Sequence, residues 1–169
     1  MEPLVNPAQA ENKVLTDITG LLMRFNELSG IPLSIEEGAE RLWNIRRATY
    51  EDLNQIQHEY LILRGLQWIL DKNKSYQQLQ WFWNPRQTGA SSEPDLQARD
   101  GMKVVISAEA TTSEKPQGTI DKRMYATLAK LNMMEGSKYY FVLTEAMTNR
   151  ARSKIKKNSW DMEVVCFGQ

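Results

Sequence analysis

Asp95 and Glu109 are the side chains of this sequence best suited to chemistry, and both lie in the stretch Glu93–Ser113, EPDLQARDGMKVVISAEATTS. Pro94 and Asp95 form its acidic tip. Asp100–Gly101 is a strong turn dipeptide, and Lys103–Ala108 is rich in Val and Ile, which suits a strand. Alternation along that strand puts Val105, Ser107, Glu109 and Thr111 on one face and Val104, Ile106 and Ala108 on the other. A carboxylate at the end of such an apolar run is costly to bury unpaired, so something must compensate Glu109.

The elements that position these groups follow from apolar spacing. Residues 1–10, with Pro3 and Pro7, are expected to form a loose arm. From about Glu11 to Leu28, Val14, Ile18, Leu21, Leu22, Phe25 and Leu28 recur at helical intervals. Ser34 with Glu37 is a capping-box pattern opening a helix to about Arg47. Thr49 with Asp52 is a second one, opening a largely buried helix to about Asp71. Tyr76–Trp83 alternates as a strand does. Trp81 and Trp83 fit its inner face better than a base-stacking platform. A helix over about 119–132 follows, with Ile120, Met124, Leu128 and Leu131 as its core stripe. Then come a strand at Lys138–Thr144, a helix at Glu145–Lys157 and a closing strand at Asp161–Phe167. The order is three helices, three strands, helix, strand, helix, strand, an α/β chain.

Three further features carry charge. Glu59 borders the buried stripe of its helix and needs a partner, either an ion pair with Arg64 or Arg47 or a role in the acidic site. His58, the only histidine, cannot build a histidine zinc site and reads as a surface or packing residue. Arg150, Lys154 and Lys157 share a helix face with no acidic residue interleaved, either a solvated face or a phosphate-backbone stripe.

The Pro94–Asp95 dipeptide, the hairpin-like gap and the strand bearing Glu109–Ala110–Thr111 resemble the motif of the PD-(D/E)xK nuclease superfamily, the restriction-endonuclease-like fold. From Thr49 onward the expected order is that family's αβββαβ core, built on a central mixed sheet. The resemblance divides the chain into an arm and helical extension over 1–48 and a nuclease-like core over 49–169. It implies metal-dependent hydrolysis of phosphodiester bonds in DNA. Asp95 and Glu109 would hold Mg²⁺ or Mn²⁺, with the Ala110 carbonyl as a further ligand and Glu59 as a third carboxylate.

Thr111 stands where the family usually has Lys. It can orient a water but carries no charge. If the cation has moved onto the following helix, helical phase favours Arg123, with Lys122 and Lys115 as alternatives; Asp121 lies on the other flank and could pair with it. Arg86, in the loop before Asp95, would contact phosphate. The same departure supports a second reading, a catalytically inactive nuclease-fold module that binds nucleic acid or a protein partner. A third reading is an unrelated α/β domain with Asp95 and Glu109 merely solvated or ion-paired.

Composition bounds these readings. A chain of 169 residues suits one compact domain. With 21 basic and 21 acidic residues its formal net charge is zero, which argues against a coat of nonspecific nucleic-acid contacts but not against a local basic patch. No apolar run approaches a membrane span and no secretory leader is visible. Cys166, alone, excludes an intramolecular disulfide and reads as a reduced core thiol. The expectation is an intracellular, cytoplasmic protein without membrane contact, its N-terminal helices a candidate homodimer surface.

Overall fold

The structure is a computed structural model that describes residues 1–85 and 92–168. In chain order the elements are β1 (Glu2–Pro3), α1 (Pro7–Leu28), α2 (Ile35–Lys72), a short 3₁₀ helix (Lys74–Gln78), β2 (Gln80–Trp83), β3 (Leu96–Asp100), β4 (Lys103–Thr111), α3 (Thr119–Asn132), β5 (Ser137–Val142), α4 (Glu145–Lys157) and β6 (Glu163–Cys166). Among the described residues the six strands form one mixed sheet in the order β1-β2-β3-β4-β5-β6. The first four run antiparallel to their neighbours, and β4-β5 and β5-β6 are parallel. Parallel pairs need crossovers, and α3 and α4 supply them.

Each face of the sheet has its own core. Leu96, Ile106, Ala108, Tyr139, Phe141 and Val165 pack with α1 and α2 side chains. Tyr140, Val142 and Val164 pack with Met124, Leu128, Leu131, Met147, Ala151 and Ile155 of α3 and α4. The alternation along β4 and β5 therefore separates two helical layers, and Glu109 belongs to the α3 and α4 side. Trp81 and Trp83 are buried, as the inner face of β2 requires. At Gly65 the helix α2 lies so close to the sheet that an added Cβ would stand 2.2 Å from the Phe141 ring. Gly101, at φ 59°, opens the tight β3-β4 turn.

Three local expectations are corrected. The expected break at residues 47–49 is absent, and α2 runs unbroken for 38 residues. No glycine or proline interrupts it there, and Thr49 Oγ1 donates back to the Ile45 carbonyl at 2.7 Å instead of capping a new helix. The boundary drawn at residue 48 thus falls inside one helix. The N-terminus is not a loose arm, since Glu2 and Pro3 pair with Trp83 and Phe82, and the Leu4 amide bonds the Trp81 carbonyl at 2.8 Å. Pro7 opens α1, where its missing N–H costs nothing, and Asn6 caps it by accepting from the Ala8 amide. The first half of the Tyr76–Trp83 strand is instead a 3₁₀ turn capped by Asn73, whose side chain accepts from the Ser75 amide.

Candidate active site

β3 and β4 bring Asp95 and Glu109 together. Asp95 extends the ladder just ahead of β3. Its amide donates to the Ala108 carbonyl at 3.1 Å, and its carbonyl accepts from the Asn84 amide at 2.8 Å. Its carboxylate reaches across to β4, where Oδ2 accepts from the Ala110 amide at 2.8 Å and from His58 Nε2 at 3.1 Å. Since the carboxylate can only accept, the His58 Nε2 carries the proton of that bond. Asp95 is 1% exposed and Glu109 3%.

Glu109 faces Tyr140 in the β4-β5 register. Its acidity is strongly altered. Burial, then the nearby Asp95 charge, raise its pKa from an ordinary 4.5 to about 8, against a smaller opposing pull from Lys130. The Lys130 ammonium, on the last turn of α3, lies 2.6 Å from Glu109 Oε1. That contact is an ion pair outside hydrogen-bond direction, for among the described residues the buried Oε1 has no hydrogen-bond donor. Lys130 also donates to the Glu93 carbonyl at 3.2 Å, which places it beside the acidic tip. Thr111 Oγ1 accepts from the Tyr140 hydroxyl at 2.8 Å. Burial pushes the Tyr140 phenol up to about 12, so it is a donor at neutral pH.

The other expected residues fall elsewhere. Glu59, fully buried, turns toward α1, pairing with Lys13 at 2.6 Å and accepting from Gln55 at 3.2 Å. Its cation is therefore neither Arg64 nor Arg47; Arg64 donates to the Phe167 carbonyl at 2.9 Å. Lys122, Arg123 and Lys115 are exposed. Arg86 lies outside the described residues. On α4, Arg150 makes a bidentate contact to Asp121 at 2.7 and 3.0 Å, and Lys154 joins at 3.0 Å. Those hydrogen bonds hold the Asp121 carboxyl well below the usual carboxylate range. The stripe that reads as purely basic along α4 is thus partly neutralised from α3, and Asp121's partners are Arg150 and Lys154 rather than Arg123. Lys157 stays exposed.

Two residues of the site escape sequence reasoning. Lys130 follows Arg123 by seven residues, two helical turns, so the phase argument that selects Arg123 applies equally to it. His58 carries no such signal, because its role depends on where α2 crosses the tip of β3.

The donor set fits a hard divalent cation. The Asp95 charge disfavours a second charge on Glu109, the Glu109 Oε1 has no hydrogen bond among the described residues, and oxygen ligands suit Mg²⁺ or Mn²⁺. Among the described residues no three or more His, Cys, Asp or Glu side chains gather into a metal-binding group. Such an ion would therefore rest on Asp95, Glu109 and a backbone oxygen such as that of Ala110. No helix of the described residues is long and apolar enough to cross a membrane. No protein-family model matches the chain, and no curated protein and no solved structure matches it significantly.

Proposed function

We propose that the chain is a metal-dependent nuclease of the restriction-endonuclease-like kind, acting on phosphodiester bonds in DNA. The observation that carries this reading is the pairing of buried Asp95 and Glu109 across β3 and β4 with the ammonium of Lys130 at Glu109. The αβββαβ run from α2 to β5 and the antiparallel meander leading into a parallel crossover support the same fold. Asp95 and Glu109 would hold Mg²⁺ or Mn²⁺, which when bound supplies Lewis-acid polarisation and a lowered pKa for water.

The chain's own residues do the rest. The Ala110 amide and His58 fix the orientation of the Asp95 carboxylate. Lys130 supplies the positive charge that Thr111 lacks, close to where negative charge develops on the phosphate. The Thr111 hydroxyl, ordered by Tyr140, can orient an attacking water. The test is cleavage of plasmid and linear DNA with Mg²⁺ or Mn²⁺ by wild type and Glu109→Ala. Wild-type cleavage lost in the variant supports the reading; equal, negligible cleavage by both removes it.

The second reading, an inactive fold that binds nucleic acid or a protein, is favoured by the ion pair itself. In this reading Lys130, rather than a metal ion, is the positive partner of Glu109. Metal-independent DNA binding without cleavage would select it.

A further inference from the structure

Alternation along β3 sends Leu96 and Ala98 into the core against α1 and α2, and turns Asp95, Gln97 and Arg99 to the face that carries Glu109. Beyond Ala98 the register with β4 slips. Gln97 and Ala98 stand opposite Ser107 and Ile106, but Arg99 stands opposite Val104. Val105 is therefore the extra residue of a β-bulge. It packs against the α1–α2 core, while Val104 joins Arg99 on the site face, the reverse of what simple alternation assigns to the two valines. A cavity of about 290 Å³ opens there, lined by Arg99, Gln97, Val104, Pro94, Met133 and Glu135 among others. It lies roughly 7–13 Å along β3 from Asp95. The Arg99 guanidinium is held on two sides. Its Nε donates to Gln97 Oε1 at 2.6 Å, and its Cζ lies 4.9 Å from the centre of the Phe82 ring. Arg24, Arg41 and Arg150 each pair with a carboxylate, whereas Arg99 has no such partner among the described residues. An oriented guanidinium without a paired carboxylate is prepared for a ligand.

We infer that this cavity takes one unpaired guanine base of the substrate strand, a specificity that rests on the nuclease function proposed above. The lining mixes donors with acceptors. Arg99 supplies N–H donors, as does Gln97, whose Oε1 is taken by Arg99. Glu135 supplies acceptor oxygens, and Glu93, also in the lining, pairs with the Met1 ammonium at 2.7 Å. Arg99 is thus balanced by Glu135, and a cavity without net charge suits a neutral ligand better than a phosphate. Guanine has the matching edges. Its O6 and N7 accept from an arginine fork, and its N1–H and N2–H₂ donate to a carboxylate. Met133, 87% exposed, gives with Val104 and Pro94 an apolar surface for the faces of the ring. A space of this size holds a single base and not a base pair. The strand must therefore be single, or the base turned out of its duplex. The short span to Asp95 lets that base and a phosphate at the acidic pair belong to neighbouring nucleotides.

Fluorescence anisotropy of short labelled single strands, all thymine or with one central guanine, adenine or cytosine, tests this in Ca²⁺, with binding and not cleavage as the readout. The wild type is expected to bind the guanine strand about 10-fold more tightly than the other three. Arg99→Met keeps the aliphatic stem beside Phe82 and removes the donors. It is expected to abolish the preference, to change affinity for the thymine strand less than ~2-fold, and to keep the wild-type circular dichroism. Equal binding of all four strands, or a guanine preference that survives Arg99→Met, overturns the inference. So does an Arg99→Met effect of equal size on every strand, which marks a phosphate contact. Failure to bind any strand removes the nucleic-acid reading of the site as well, whereas binding without base preference removes this inference alone.

Discussion

The ammonium of Lys130 lies 2.6 Å from Oε1 of Glu109, joining the last turn of α3 to the end of β4. The pair closes an acidic site in which Asp95 is fixed by a backbone amide and a histidine. Lys130→Ala is therefore expected to lower kcat by about 10²-fold or more while leaving the fold intact, with Lys130→Arg recovering part of the loss. Arg123→Ala, on the same helix face but exposed, is expected to change kcat far less. Steady-state cleavage kinetics check the order; an Arg123 effect exceeding that of Lys130 would move the cation to the other residue.

Glu109 gives the site a pH signature. Between pH 4.5 and about 8 the folded state keeps a proton on Glu109 that the unfolded chain has released. The associated stability is complete below pH 4.5 and is lost as pH rises to about 8. Glu109→Gln cannot ionise, so its stability relative to wild type should rise across that window and level off above it, by roughly a few kcal/mol at most. Urea denaturation in EDTA at several pH values measures this. Parallel curves for the two proteins would contradict the raised pKa of Glu109.

The sheet depends on a close helix approach at one position. Gly65→Ala pushes a methyl into the buried Phe141 ring and is expected to cost about 1–3 kcal/mol of stability. An unchanged urea midpoint would mean that α2 can shift away from β5 at little cost.

The basic face of α4 is held by Asp121. Asp121→Asn frees Arg150 and Lys154, and is expected to strengthen DNA binding and steepen its salt dependence, while Lys154→Glu does the reverse. Fluorescence anisotropy at several salt concentrations decides. Indifference to both substitutions would make the face purely solvated.

Much of this architecture is legible in the residues. The turn at Asp100–Gly101, the strand carrying Glu109 and the helices over 119–132 and 145–157 follow from turn chemistry and apolar spacing. The same spacing buries Trp81 and Trp83. What stays hidden is what only packing decides. Thr49 with Asp52 has the pattern of a cap, but helix propagation across a stretch without a breaker outweighs it. Pro7 breaks a helix in its interior and favours one at its start. Glu59 reads equally as a site carboxylate or as the partner of Arg64 or Arg47, until α1 folds back and presents Lys13. Lys130 is two turns from the residue that helical phase singles out, and a side chain of its length crosses that gap.

Metal binding at Asp95 and Glu109 is the claim on which the rest depends. Thermal unfolding with and without Mg²⁺ or Mn²⁺, at pH 8 where Glu109 is about half ionised, tests it most directly. The metal should raise the Tm of wild type, less so at pH 6, and should not raise that of Asp95→Ala. Equal shifts in wild type and Asp95→Ala, or none in either, would contradict it.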